Sequence, residues 1–246
     1  MAALKQNSFI IFTPLRNFAP SMPLHSVRIW DLPTRLFHWA LTAAVVALVI
    51  TANLGGNWME WHLRLGHSVL ALLVFRLIWG VVGGRWSQFR AFVYSPARFL
   101  AYLRGKPHPQ DHVGHSPLGA LSVFALLAIL SAQVASGLLS DDEIAFAGPL
   151  TRFVSNAVVG QATGYHKDIG KYLVLGLVAL HVLAIVFYVT VRKQALVKPM
   201  LLGDKTLPEL TKPSRDDALS RIAALLILGA SAGFSWWVSS LANAGF

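Results

Sequence analysis

Five stretches of this 246-residue chain are apolar over lengths that only a lipid bilayer rewards. They are 36–54 (LFHWALTAAVVALVITANL), about 62–83 (HLRLGHSVLALLVFRLIWGVVG), about 117–139 (PLGALSVFALLAILSAQVASGLL), about 166–191, and about 220–241 (SRIAALLILGASAGFSWWVSSL). A helix needs about 20 residues to cross a hydrocarbon core of about 30 Å. Inside that core each backbone N–H and C=O must be paired within the structure, which leaves helices or closed barrels. These runs are rich in leucine, valine and alanine without strict alternation, so they fit helices. Composition agrees: 13% of residues are charged, against about 25% in soluble domains. The expected fold class is an all-α membrane protein in the lipid bilayer. It comprises a transmembrane four-helix bundle and one additional C-terminal transmembrane helix.

The expected organisation is a cytoplasmic N-terminal segment (1–35), a four-helix domain (36–191), a cytoplasmic linker (192–218), and a fifth transmembrane helix with a short periplasmic tail (219–246). The apolar FIIF at 9–12 is broken by Pro14 and Arg16, so the N-terminus does not read as a signal peptide. The net charge is +10, but the basic residues flank apolar runs, and no nucleic-acid partner is expected. Fifteen lysines and arginines fall before span one, between spans two and three, and between spans four and five. Four (Arg64, Arg152, Lys167, Lys171) fall on the opposite side near span ends. Positive charge prefers the cytoplasmic side. This predicts a multi-pass protein of a bacterial cytoplasmic (inner) membrane with the N-terminus cytoplasmic and the C-terminus periplasmic.

There is no cysteine. That excludes disulfides, thiolate metal sites, cysteine-held iron–sulfur clusters and covalent c-type haem attachment. A metal or haem would have to be held by histidine. Ionisable residues inside spans are costly, and there they signal function. His38 falls near the inner end of span one, His62 at the outer start of span two and His166 at the outer start of span four. His181 lies fifteen residues beyond His166, about 22 Å deeper, and is rotated about 60° from it. Two depth-matched pairs follow: His62 with His166, and His38 with His181. Paired imidazoles across a helical bundle are what a six-coordinate haem b requires.

Spans two and four also share a pattern. H-L-R-L-G (62–66) and H-K-D-I-G (166–170) each place a glycine, Gly66 or Gly170, four residues after the histidine, on the same helical face. A missing side chain there leaves room for a flat macrocycle. His67 competes with His62 as ligand; the glycine pattern favours His62, since span four has Lys171 at the equivalent place. Arg76 lies near the inner level, where it either meets a haem propionate or snorkels to the surface. Arg35 is a second propionate candidate. His25, His108, His112 and His115 read as solvated or interfacial, and Trp39, Trp58, Trp61 and Tyr165 as belt residues. The fifth span has no histidine and carries G-x-x-x-G (Gly229 to Gly233), a motif used in helix packing.

Several segments resemble the prokaryotic cytochrome b561 family, which includes the b-type cytochrome subunit of nickel–iron hydrogenases. They are RIWDLPTRLFHW (28–39), the H-x-x-x-G opening of span two with FRLIWG (75–80), HSPLGAL (115–121), and the spacing of His166 and His181 in span four. The resemblance covers about 27–200 and leaves the fifth span outside the family's four-helix core. It implies two b haems on His38, His62, His166 and His181. It also implies electron transfer between the quinone pool of a respiratory chain and a periplasmic redox partner, a cytochrome c or a dehydrogenase subunit. The chain would then be a quinone-linked oxidoreductase subunit. Two alternatives remain open: a stand-alone oxidoreductase for a small external substrate such as superoxide or ferric iron, and a haem-free transporter or assembly protein.

Overall fold

The computed structural model describes residues 24–243; the FIIF segment, Lys5 and Arg16 lie outside them. The chain opens with strand β1 (His25–Arg28), followed by helices α1 (Leu32–Leu54) and α2 (Trp58–Val82). A short helix α3 (Pro96–Leu103) leads to α4 (Pro117–Leu138). Next come α5 (Asn156–Gly164), a π-turn (Tyr165–Gly170) and α6 (Lys171–Thr190), joined end to end. Helix α7 (Val197–Leu202), strand β2 (Asp204–Leu207) and helix α8 (Ala218–Ser240) complete the fold. Five helical segments are long and apolar enough to cross a membrane: α1, α2, α4, the composite Asn156–Thr190, and α8.

Local chemistry sets the helix ends. Asp31, Ser116 and Asp217 accept backbone N–H bonds at the starts of α1, α4 and α8, satisfying donors that a helix start leaves free. Between α1 and α2 the chain reverses through Gly55 and Gly56, at φ +63° and +54°. A side chain would be strained there, and α1 and α2 can therefore pack as an antiparallel hairpin.

Three boundaries differ from the sequence expectation. Spans one and two each begin about one turn earlier, at Leu32 and Trp58. The fourth span begins at Asn156, so His166 lies ten residues inside it rather than at its start. The stretch 156–164 (NAVVGQATG) is too polar to read as an apolar run, yet Ser155 caps it by accepting from Val158 N–H.

Two apolar layers build the bundle. Ala44, Val69, Leu73, Leu130 and Val174 form one cluster. Each comes from a span that carries a histidine of either level or lines both, so this layer fills the space between the levels. Phe37, Phe75, Trp79 and Ala224 form the second, with Phe75 and Trp79 stacked at 5.8 Å. The fifth span is packed on α2. It turns Ser220, Ala224, Ser231 and Ser235 inward, and Ser235 Oγ donates to His67 O at 2.6 Å. Small residues let two backbones approach closely in lipid. Gly229 and Gly233 are not used: nothing lies within 4 Å of a Cβ built on either. They sit about half a turn away from the Ser/Ala face.

The N-terminal segment and the 192–218 linker are not merely polar tethers. β1 and β2 pair antiparallel, with Val27 opposite Lys205. Arg28 ties the ribbon to Asp204 and Asp216, each at 2.5 Å. Gly203 O accepts both Ile29 N (2.9 Å) and Trp30 N (3.0 Å). Val27, Ile29, Trp30, Val113 and Leu207 close a small core beneath. Next to it, the fully buried Asp31 carboxylate accepts from Thr34 N (2.8 Å), Trp79 Nε1 (3.1 Å) and Ser87 Oγ (2.5 Å). Removing one such partner of a buried polar group costs about 1–3 kcal/mol, so this network pins α1, α2 and the loop after α2 together.

Candidate cofactor sites

The structure brings His62 and His166 together. Their ring centroids are 6.2 Å apart and their planes stand at 88°. His62 Nδ1 donates to Leu48 O at 3.1 Å, and His166 Nδ1 donates to Gln133 O at 2.9 Å. Both bonds occupy Nδ1 and leave Nε2 as a lone-pair donor. A metal-bound histidine commonly gives its other ring N–H to a carbonyl in this way, which fixes ring orientation and raises basicity. Imidazole nitrogens bind first-row metals at about 2.0–2.1 Å, so two rings on opposite sides of one ion have centroids roughly 6 Å apart.

The same rings border a cavity of about 690 Å³, shared by α1, α2, α4 and the fourth span. Such a volume is in the range of small-molecule and cofactor pockets, about 300–1,000 Å³. Gly66 lines the cavity, and nothing lies within 4 Å of a Cβ built on it. Gly170 does not. It is buried against α4, where a Cβ would run into Gln133 Oε1. The physical reason is packing: the Gln133 side chain of α4, which donates from Nε2 to His166 O, takes the space beside Gly170. The close approach beside His166 is made instead by Gly137, whose added Cβ would sit 2.8 Å from His166 Cε1. His67 lines the cavity but is not the ring facing His166; its Nδ1 is buried without a partner.

The second pair lies at the ribbon end. His38 is close enough to His181 for the imidazoles to interact electrostatically. His181 Nδ1 meets Ser122 Oγ at 3.3 Å, while His38 packs edge-on against Trp39 and its Nδ1 is buried and unpartnered. Arg76 is only 3% exposed, so it does not snorkel. Its guanidinium lies over Phe89, 4.6 Å from the ring centre, and its Nη1 has no partner. Arg35 donates from Nη1 to Leu201 O at 2.6 Å and keeps a buried, unpartnered Nε.

His115 departs from the expectation of a solvated loop histidine. It packs against Trp30 at 4.7 Å and Phe92 at 4.3 Å, because the ribbon folds back over the loop that precedes α4. Burial first, and then the charges of Arg76 and Lys205, push its imidazole down to about 3. His115 is therefore neutral at physiological pH. Of the other loop histidines, His112 is exposed and His108 accepts from Gln110 N at the start of a short 3₁₀ turn.

Among the described residues, six buried side-chain polar atoms lack a partner: on Arg35, His38, His67, Arg76, His115 and Gln133. Native interiors rarely leave such groups unsatisfied, and all six lie on or beside the two histidine pairs. Among the described residues there is also no group of three or more histidine or acidic side chains that could hold a bare metal ion. Two paired imidazoles suit a metal whose remaining ligands come from a macrocycle, which is the donor set of a haem b. The residues present fit that group at the His62–His166 level, and His38 and His181 supply the same donor type at the other.

Sequence reasoning passed over the residues that orient His166 and His181. Ser122, Gln133 and Ser136 are polar members of an otherwise apolar span, and at spacings of 11 and 14 from Ser122 they share one helical face about 60° wide. That face is the one turned toward His166 and His181.

A family model described as prokaryotic cytochrome b561 matches residues 29–203. The chain is 24% identical to a probable Ni/Fe-hydrogenase B-type cytochrome subunit of Cupriavidus necator, covering 78% of this chain and 91% of that protein. Proteins with the same description from Rhodobacter capsulatus and Azotobacter vinelandii are 22% and 25% identical. Those matches cover 75% and 72% of this chain, and 83% and 88% of the relatives. No solved structure matches the chain significantly.

Proposed function

The chain is a member of the prokaryotic cytochrome b561 family, and from that premise we propose that it is a di-haem b-type cytochrome moving electrons across the membrane. The electrons pass between the quinone pool and a redox partner on the periplasmic side. The reading places the N-terminus and the ribbon in the cytoplasm and the His62–His166 level toward the periplasm, in accord with the lysine and arginine bias. The relatives' names make a hydrogenase the favoured class of partner.

The observation that carries this reading is the His62–His166 pair: perpendicular rings 6.2 Å apart, each with Nδ1 on a backbone carbonyl. When bound, a b haem supplies a one-electron iron couple whose potential depends on axial ligands, hydrogen bonds and burial. The chain's own residues do the rest. Leu48 O and Gln133 O hold the outer imidazoles in one tautomer. His38 and His181 serve the inner level, with Arg76 and Arg35 offering unpartnered cationic N–H groups to propionates. The layer of Ala44, Val69, Leu73, Leu130 and Val174 excludes water between the levels.

The experiment is haem counting on single-ligand variants. His38→Ala or His181→Ala should each remove one b haem and leave the other spectrally intact. Retention of both haems in either variant would refute the inner pairing.

A further inference from the structure

The inner histidine pair is bounded on the ribbon side by side chains that the spans do not supply. His115 immediately precedes Ser116, the cap of α4. Trp30 and Phe92 pack against its ring, and its main-chain oxygen accepts Tyr94 OH at 2.6 Å. The ring is thus held while its Nδ1, shut off from solvent, has no partner. Lys205, on β2, is anchored by Nζ on His112 O at 2.5 Å. Arg76 lies over Phe89, Phe89 packs on Phe92, and Phe92 packs on His115; Lys205 Nζ also reaches Val113 O, two residues before His115, and the charges of both cations act on His115, as do His38 and His181.

The local charge is one-sided. Arg76 and Lys205 are both cationic, and Lys205 Nζ sits on the chain just before the positive N-terminal end of α4. Asp31 is the carboxylate that acts on Arg76, yet its oxygens are already engaged by Thr34 N, Trp79 Nε1 and Ser87 Oγ. Arg76 Nη1 has no hydrogen-bond partner and Lys205 Nζ sits on main-chain oxygens, and a buried cation without an anion in contact is disfavoured. The arrangement calls for an anion carrying several acceptor oxygens, delivered next to His38 and His181.

We propose that His115, together with Arg76 and Lys205, forms a clamp for the propionate carboxylates of the inner haem, with His115 donating through Nδ1. The ribbon and the 192–218 linker are then part of the cofactor site, because β1 carries the chain to Trp30 and β2 carries Lys205. His115 is a positioning residue: it does not meet the iron and acts through the carboxylate. The inference rests on the di-haem reading and deepens it.

The test uses the full-length purified protein, with haem content and midpoint potentials measured for wild type, His115→Leu and His115→Gln. Removing the donor leaves propionate charge less compensated, which favours ferric iron. His115→Leu should therefore lower the inner potential, by about a tenfold change in the oxidised-to-reduced ratio (59 mV per tenfold for one electron), or lose the inner haem outright. His115→Gln, which keeps an N–H donor, should retain the inner haem near its wild-type potential. Wild-type potentials in a haem-replete His115→Leu would overturn the clamp alone; an anionic lipid held at the site instead would give this result. Equal effects of Leu and Gln would also overturn it, assigning His115 to packing. Absence of haem from the wild-type protein would defeat the di-haem reading itself, and the clamp with it.

Discussion

Gln133 and His166 hold each other at both ends: His166 Nδ1 donates to Gln133 O at 2.9 Å, and Gln133 Nε2 donates to His166 O at 3.0 Å. The second bond reaches into the π-turn, where the widened pairing disturbs the regular carbonyl ladder. One residue of α4 therefore fixes both the ring and the backbone of a proposed haem ligand. Gln133→Leu keeps the backbone acceptor but loses the side-chain bond. It should lower thermal stability by about 0.5–1.5 kcal/mol, the net worth of one hydrogen bond, and leave outer haem content unchanged. Differential scanning measurements with haem quantitation would check both.

Gly137 and Gly66 should respond differently. A Cβ on Gly137 meets the His166 ring, whereas a Cβ on Gly66 meets nothing within 4 Å. Gly137→Val should displace the ring and deplete the outer haem, while Gly66→Ala should bind two haems. Gly66→Phe, which fills the cavity, should lose the outer one. Haemochrome assay of the three variants decides this.

His62 and His67 can be separated directly. His62→Ala should abolish the outer low-spin signal in electron paramagnetic resonance. His67→Ala should preserve it, since His67 is not the ring opposed to His166. The reverse pattern would transfer the ligand role to His67.

Asp216 links the ribbon to acidity. Burial alone would raise its pKa, but hydrogen bonds from Arg221, the Leu32 N–H and Arg28 hold it below the ordinary carboxylate value of 3.8. A carboxyl group whose folded pKa is depressed adds stability that is complete above the unfolded pKa, about 3.9, and fades as pH falls through the folded value. Proteolytic cleavage within 204–217 should thus rise only below about pH 4. Asp216→Asn should be cleaved readily at neutral pH. A wild-type profile flat to pH 2.5, or an Asp216→Asn variant as resistant as wild type, would contradict this role of Asp216 in holding the ribbon.

Much of this was legible from the sequence, and the omissions have physical causes. Apolar length found the five spans, because lipid imposes a backbone constraint that local sequence must satisfy alone. Depth matching placed His62 beside His166, since helical rise converts residue number into depth. That arithmetic does not say what fills the space beside a glycine, and at Gly170 the Gln133 side chain of α4 takes it. The arithmetic also missed the polar start of the fourth span at 156–164. The ribbon escaped notice because its partners, β1 and β2, are 4-residue strands separated by the whole bundle, and His115 owes its burial to that pairing. Arg76 left two readings open until its 3% exposure ruled out snorkelling.

The most direct measurement is the haem-to-chain ratio of the purified protein by pyridine haemochrome, followed by a potentiometric titration. Two b haems per chain and two resolvable one-electron transitions are expected. A ratio of one or zero, in protein whose helical content is intact by circular dichroism, would contradict the di-haem reading.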